Sequence, residues 1–358
     1  MKKLFMLLAM LYVVSTQLIA QDETKAVANP DSHAPIGVMG DHMHKKGELM
    51  FSYRFMSMSM KDNLLGSDDI SPEDIVTTAD NRFFGNPGMP PTLRVVPLEM
   101  TMNMHMFGVM YAPSDKITLM LMGMYLSSEM DHVTFQGGMG TTRLGEFTTE
   151  TNGIGDTRIA ALIRLAEKEV TRIHLNLGLS LPTGSLTEVG TILTPMNMRP
   201  EVRLPYPMQI GSGTLDLLPG ITYSGNKEKW GWGTQVMANI RTGENDEGYT
   251  LGNRYELSSW VSYRMAPWIS GSVRLYGLTA GSIDGMDANI MAPVQTADPD
   301  RQGGERLDAV FGLNFIGQQG VLRNQRLAVE LALPVLQDLN GPQLKTTSIL
   351  TLGWQHAL

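Results

Sequence analysis

Methionine has the most chemistry to offer in this sequence. The 358-residue chain contains 27 methionines, and seventeen of them fall between Met39 and Met139. Their spacing is strict: Met56, Met58 and Met60; then Met100, Met102, Met104 and Met106; then Met120, Met122 and Met124. Residues two apart on a strand share a face, so each run places a row of thioethers on one side of a strand. Thioether sulfur is a soft ligand suited to Cu(I) or Ag(I), and a row of weak ligands can hand an ion along. The same side chain is also a flexible, polarisable filler, and a wall of it adapts to an organic solute. A second candidate lies upstream, where Asp41-His42-Met43-His44 packs two imidazoles and a thioether into four residues, with His33 nearby. Imidazole binds Cu(II) and Zn(II), which makes His42, Met43 and His44 metal-ligand candidates. His105, His132, His174 and His356 are scattered at no ligand spacing.

Other chemistries find little support. The chain has no cysteine, which excludes thiolate metal sites, disulfides, cysteine nucleophiles and a lipid-modified cysteine. No serine sits in a Gly-x-Ser-x-Gly elbow. The glycine-rich stretches 153–156 and 211–213 precede strand patterns, so they do not form phosphate loops. A net charge of −8 offers nothing to a nucleic acid.

The elements that position these residues follow a period of two. From Glu48 onward about twelve runs alternate apolar and polar residues. In the first, Leu49, Phe51, Tyr53 and Phe55 share one face, and Arg54, Met56, Met58 and Met60 the other. Residues 254–264 set Tyr255, Leu257, Val261 and Tyr263 against Glu256, Ser258, Trp260 and Arg264. Residues 306–315 and 326–333 repeat the pattern, with Asp308 and Glu330 on the polar faces. A soluble sandwich alternates in the same way. Three features favour a membrane barrel instead. Connections alternate between short ones, such as 225–229 and 266–268, and long polar ones, such as 61–97, 131–155 and 186–213. Aromatics gather near run ends, as at Tyr111, Tyr125, Trp230 and Trp354. Both signs of charge recur on the polar faces, as Arg54, Arg274, Asp308, Arg326 and Glu330, which suits a lumen laced with ion pairs. A closed barrel also leaves no strand edge in lipid.

Parity points Met56–60 and Met120–124 into the lumen. Met100–106 is less simple. If these four also face inward, Glu99, Thr101, Asn103 and His105 face outward. Either that stretch stands above the bilayer or a bulge shifts the parity.

The N-terminus reads as a secretory signal over residues 1–20. Lys2 and Lys3 precede an apolar stretch, 4–14, too short to span a bilayer, with a cut after Ala20. Residues 21–47 form a polar, Met- and His-containing segment with Pro30 and Pro35, expected to be a periplasmic arm or plug-like piece with little regular structure. The barrel then occupies 48–358, and its closing run ends on Leu358 rather than on an aromatic.

A resemblance supports this division. Gly153-Ile-Gly-Asp156-Thr157 opens a strand, Leu179-Ser-Leu-Pro182-Thr-Gly184-Ser185 ends the next, and Gly211-Ser-Gly-Thr-Leu-Asp216-Leu-Leu-Pro-Gly220 opens a third. In this order they resemble the outer-membrane barrel family labelled after the meta pathway of phenol degradation, whose members are described as transporters or channels. The opening His33-Ala-Pro-Ile-Gly-Val-Met-Gly-Asp-His42-Met-His44 and the methionine-rich first third resemble a branch associated with copper resistance. The expectation is an all-β fold, a single antiparallel transmembrane β-barrel of about twelve strands in the outer membrane of a Gram-negative bacterium. Its expected partners are outer-membrane lipid, the barrel-assembly machinery and a small solute or metal ion, with Cu(I) or Ag(I) as cargo rather than cofactor. The expected role is passage of that solute rather than catalysis. A non-transporting, metal-sequestering surface protein is the alternative, and a hydrolytic barrel enzyme is a third.

Overall fold

A computed structural model of the chain describes residues 29–358. The expected signal, 1–20, and the first part of the arm, 21–28, lie outside them. The alternating runs form strands β1 (Leu49–Gly66), β2 (Val95–Ser114), β3 (Ile117–Phe135), β4 (Arg143–Ile154), β5 (Thr157–Glu167) and β6 (Thr171–Leu181). They continue as β7 (Leu215–Lys227), β8 (Trp230–Thr242), β9 (Arg254–Ala266), β10 (Ile269–Ala280), β11 (Gly304–Ile316) and β12 (Gln325–Ala357).

Each strand pairs antiparallel with its neighbours, and β12 returns to β1, closing a ring of eleven elements. β4 is a second piece of the β5 pass: β3 pairs with β5 through 117–122 and with β4 through 125–135. β12 doubles back at Gly341, whose φ of 97° suits glycine. Its first half pairs with β11 and its second with β1. Gln337 and Thr346 exchange hydrogen bonds of 3.0 and 2.9 Å across that fold. Counting β12 twice gives twelve passes, an even number as single-chain bacterial barrels have.

The burial pattern is inverted relative to a soluble sandwich. Leu257, Val261, Val273, Leu275, Phe311, Leu313 and Leu331 are exposed on the outer face, while Ser258, Arg274, Asp308 and Glu330 beside them are buried. Water would not support such a surface around a whole circumference. Lipid does, and the chain is an outer-membrane β-barrel. No helix among the described residues is long and apolar enough to cross a membrane.

The first three strands, at 18, 20 and 19 residues, are longer than β4 to β11, which have 11 to 13. Their outer faces change character at one level, where Phe55, His105 and Tyr125 lie side by side in register. On the side of the short turns stand Phe51, Tyr53, Phe107, Val109, Leu119 and Leu121. On the other stand Ser57, Ser59, Lys61, Thr101, Asn103, Glu99, Ser127, Glu129 and Asp131. Tyr53 Oη lies 2.8 Å from His105 Nδ1 at this border, and Tyr125 Oη donates to Asn152 at 2.7 Å, as in a polar–aromatic girdle. Lys61 and Glu99 pair beyond it at 3.2 Å. The β1–β2 register runs unbroken from Lys61/Glu99 to Leu49/Tyr111. No bulge therefore shifts Met100–106, and these strands stand above the bilayer. Twenty residues at about 3.3 Å each reach far beyond an apolar band of about 25 Å. The long loop expected at 131–155 is corrected for the same reason. Most of it is strand outside the membrane, and only 136–142 connects β3 to β4.

The remaining outer loops pack over the mouth. Phe83, Phe147, Leu193, Tyr206, Tyr249, Ile283 and Val294 share one apolar cluster. Arg203 binds Asp287 at 2.8 Å and Glu247 at 3.1 Å beneath it.

Candidate functional site

The lumen has two linings. On the side of the short turns it is filled by the arm. Ala34, Ile36 and Val38 are buried, with Ala34 and Val38 against Trp260. Gly353 leaves room for Ile36, since a Cβ there would stand 2.4 Å from it. The polar face holds the arm's backbone. Arg326 donates to the Ala34 carbonyl, to Gln355 and to Asn314. Glu330 pairs with Arg274 at 3.0 Å and accepts the Gly37 N–H. Gln235 donates to the Met39 carbonyl at 2.9 Å, His174 Nε2 to Gly40 at 2.9 Å, and the His44 N–H to Thr118 at 3.0 Å. Asn226 and Ser270 hold the carbonyls of Asp31 and Pro30. The segment has little regular structure, as expected. Of the two expectations, a periplasmic arm or a plug-like piece, residues 30–44 take the form of the second, because six strands supply partners for its backbone.

Within the plug three imidazoles meet. His33 and His42 have ring centroids 4.4 Å apart, and His42 and His44 4.8 Å, each pair edge-on. His42 Nδ1 donates to Asp41 Oδ1 at 2.9 Å, while Asp41 Oδ2 accepts the Ala34 N–H at 2.9 Å. His44 Nδ1 faces Glu48 at 3.5 Å. His33 Nδ1, His42 Nε2 and His44 Nε2 are buried without a hydrogen-bond partner. Desolvation and the neighbouring His42 push the His44 imidazole down to about 4 and hold His33 well below the ordinary range. Burial opposes the Asp41 charge, but His42, through its charge and hydrogen bond, keeps that carboxyl below the usual carboxylate range. The cluster lines a cavity of about 550 Å³ whose rim includes the short-turn residues Asp115, Glu167 and Asn226.

Met43 is not part of that cluster. It packs with Met50, Met110, Met120 and Leu162 on the barrel wall. It still lines the same cavity as His42 and His44, so the expected trio borders one space while Met43 also packs on the wall.

The second lining is methionine. Register sets Met56 opposite Met104, Met58 opposite Met102 and Met60 opposite Met100. It also sets Met106 opposite Met124, Met110 opposite Met120 and Met100 opposite Met130. All carry the parity of buried Arg54 and lie opposite to exposed Phe51 and Phe107. Met106, Met122 and Met124 pack together with Met39, Met56 and Met104. Met100 and Met130 pack with Met208 and Leu204 from the loop that follows β6. Every expected methionine is thus on the inner face. Met50 joins them on the face that the alternation of the first run gives it, and Met39, Met110, Met130 and Met208 join them without having been expected. Extending the even-number parity along β2 and β3 finds Met110 and Met130. Nothing in the sequence signals Met39 or Met208, which arrive from other segments.

No protein-family model and no curated protein matches the sequence. Solved structures do match. A crystal structure of an outer membrane channel from Pseudomonas putida F1 superposes with a TM-score of 0.56 at 15% identity, covering 90% of this chain and 99% of the other. A Pseudomonas aeruginosa FadL homologue follows with a TM-score of 0.45, 8% identity and coverage of 93% and 98%. The Pseudomonas putida toluene transporter TodX gives 0.40 at 7% identity, covering 88% and 90%. The first of these defines the class of fold, an outer-membrane β-barrel, and at such identity nothing finer.

Proposed function

We propose that the chain is an outer-membrane channel for a small solute, and that the solute is a soft metal ion, Cu(I) or Ag(I), carried along the methionine wall. One observation carries this reading: facing thioethers repeat across three adjacent strands, from Met60, Met100 and Met130 at the outer end to Met50, Met110 and Met120 at the short-turn end. Met39 and Met43 extend the row onto the plug, where Met43 lines the cavity. Evenly weak ligands in sequence let an ion exchange from one to the next. The resemblance of the first third to a copper-associated branch agrees with it.

A second reading has its own support. Leu126, Leu162, Leu204 and Leu344 pack into the same clusters, which suits an adaptable wall for an organic solute. The experiment changes Met56, Met58, Met60, Met120, Met122 and Met124 together to leucine. That swap costs about 1.5 kcal/mol or less per site and removes the lone pairs. In vesicles holding the refolded barrel, ion carriage predicts loss of Ag(I) flux with normal assembly. Unchanged Ag(I) flux with altered organic-solute flux replaces it with the second reading. Ag(I) binding without flux in the parent points to sequestration.

A further inference from the structure

We propose that His33, His42 and His44 form a binding site for one Zn(II) or Cu(II) ion inside the plug. The inference rests on the imidazoles alone and stands whether or not the methionine wall carries ions.

Three features distinguish this cluster from three histidines that merely pack. First, the nitrogens left over are the ones a metal needs. His33 Nδ1, His42 Nε2 and His44 Nε2 are all buried without partners. His44 is only 5% exposed, and a buried unpaired polar atom is costly unless something satisfies it. Second, the opposite nitrogens of two rings face carboxylates, Asp41 at 2.9 Å and Glu48 at 3.5 Å. Metal-bound histidines commonly donate their second N–H to a carboxylate, which fixes the tautomer and orients the ring. Asp41 has both oxygens engaged, with His42 and with the Ala34 N–H, so it serves to orient His42 rather than as the third ligand. Third, the rings are close: the His33 and His42 centroids stand 4.4 Å apart and those of His42 and His44 4.8 Å.

The surroundings accept a cation. Lys45, Arg164, Arg172 and Arg326 line the same cavity and oppose it, while Asp31, Asp41, Glu48, Asp115 and Glu167 line it and offset them. The cavity rim includes short-turn residues, so the ion enters from the periplasmic side. Neutral imidazole suits Zn(II) and Cu(II), whereas the thioethers suit Cu(I). The two sites therefore differ in the ion they prefer. His33 and the His42–His44 pair lie at opposite ends of one loop of the plug, already clasped by the Ala34–Asp41 hydrogen bond. A bound ion staples that loop shut.

The test uses the full mature chain refolded as a barrel, with heat-modifiable gel mobility as the check of assembly. Titration with Zn(II) is expected to give one ion per chain. His33→Ala, His42→Ala and His44→Ala should each weaken it by about tenfold or more, while the six-leucine methionine variant binds like the parent. Cu(II) added to the parent gives a reading that needs no variant: its electron paramagnetic resonance spectrum should carry coupling to three nitrogens. The proposal is overturned if the assembled triple-alanine variant keeps the parent's Zn(II) affinity. It is equally overturned if the Cu(II) spectrum of the parent shows coupling to one nitrogen or none. Loss of Zn(II) binding in the histidine variants with Ag(I) flux retained would leave the methionine reading intact. The converse would leave this site intact.

Discussion

The wall formed by β1 to β3 and the wall formed by β6 to β12 follow the same alternation and line the same barrel, yet their inner faces do opposite things. In the first, most inner positions are thioethers that pack among themselves, with Arg54 and Thr118 between them. In the second they are Arg274, Glu330, Arg326, His174 and Gln235, and their hydrogen bonds fix the plug in place. Alternation dictates only which residues look inward. What the inside does depends on whether those residues demand partners. Charges buried in a lumen need counter-charges and backbone groups, so that wall recruits the arm. Methionines do not, so that wall stays adaptable.

The largest difference between the two walls is expected at Glu330. Glu330→Leu strips Arg274 of its buried partner and Gly37 of its acceptor, and should cost about 3–5 kcal/mol of stability. Glu330→Gln keeps an acceptor and should cost less. Met58→Leu, on the other wall, should cost about 1.5 kcal/mol at most. Urea unfolding of the three variants in lipid would overturn the contrast if Glu330→Leu and Met58→Leu melted alike.

Next in size is the lipid face. Leu331→Arg near mid-membrane should destabilise by about 2–4 kcal/mol. Ser57→Arg should be nearly neutral, because β1 has left the bilayer at that level. Equal penalties in the same unfolding assay would mean that the border at Phe55, His105 and Tyr125 is misplaced.

A smaller effect is expected at Gly353, the one inner position of β12 that must stay bare for Ile36. Gly353→Val should shift Ile36 and loosen the plug at a cost of about 1–3 kcal/mol. Faster amide exchange over residues 34–40, with the strands unchanged, is the expected signature. Protection equal to the parent would show that the plug does not depend on this contact.

The last test should leave stability unaltered. The chain has no cysteine, so single cysteines report cleanly. A membrane-impermeant thiol reagent should label Asn103→Cys quickly and Leu257→Cys hardly at all, although both side chains point outward. Comparable labelling would contradict the claim that β2 rises clear of the lipid.

Much of this was legible in the sequence for a local reason. Strand side chains alternate with a period of two, so Leu257 against Glu256 and Leu331 against Glu330 assign lipid and lumen without any coordinates. The same parity put Met56 to Met60 and Met120 to Met124 inside. It reached its limit at Met100 to Met106, because the polar residues between them are equally consistent with a bulge and with a strand above the bilayer. Only the register with β1 and β3 decides that, and register is a property of pairs of strands. The arm was harder still. Residues 29–47 have no period, so nothing local distinguishes a loose tail from a plug. Their place is set by partners far away in sequence, Glu330 for Gly37 and Arg326 for Ala34, which come together only when the barrel closes. For the same reason His42 and His44 were visible as a pair, but the hydrogen bond that ties His42 to Asp41 was not. Sequence spacing counts residues, and it does not say which way an irregular segment turns them.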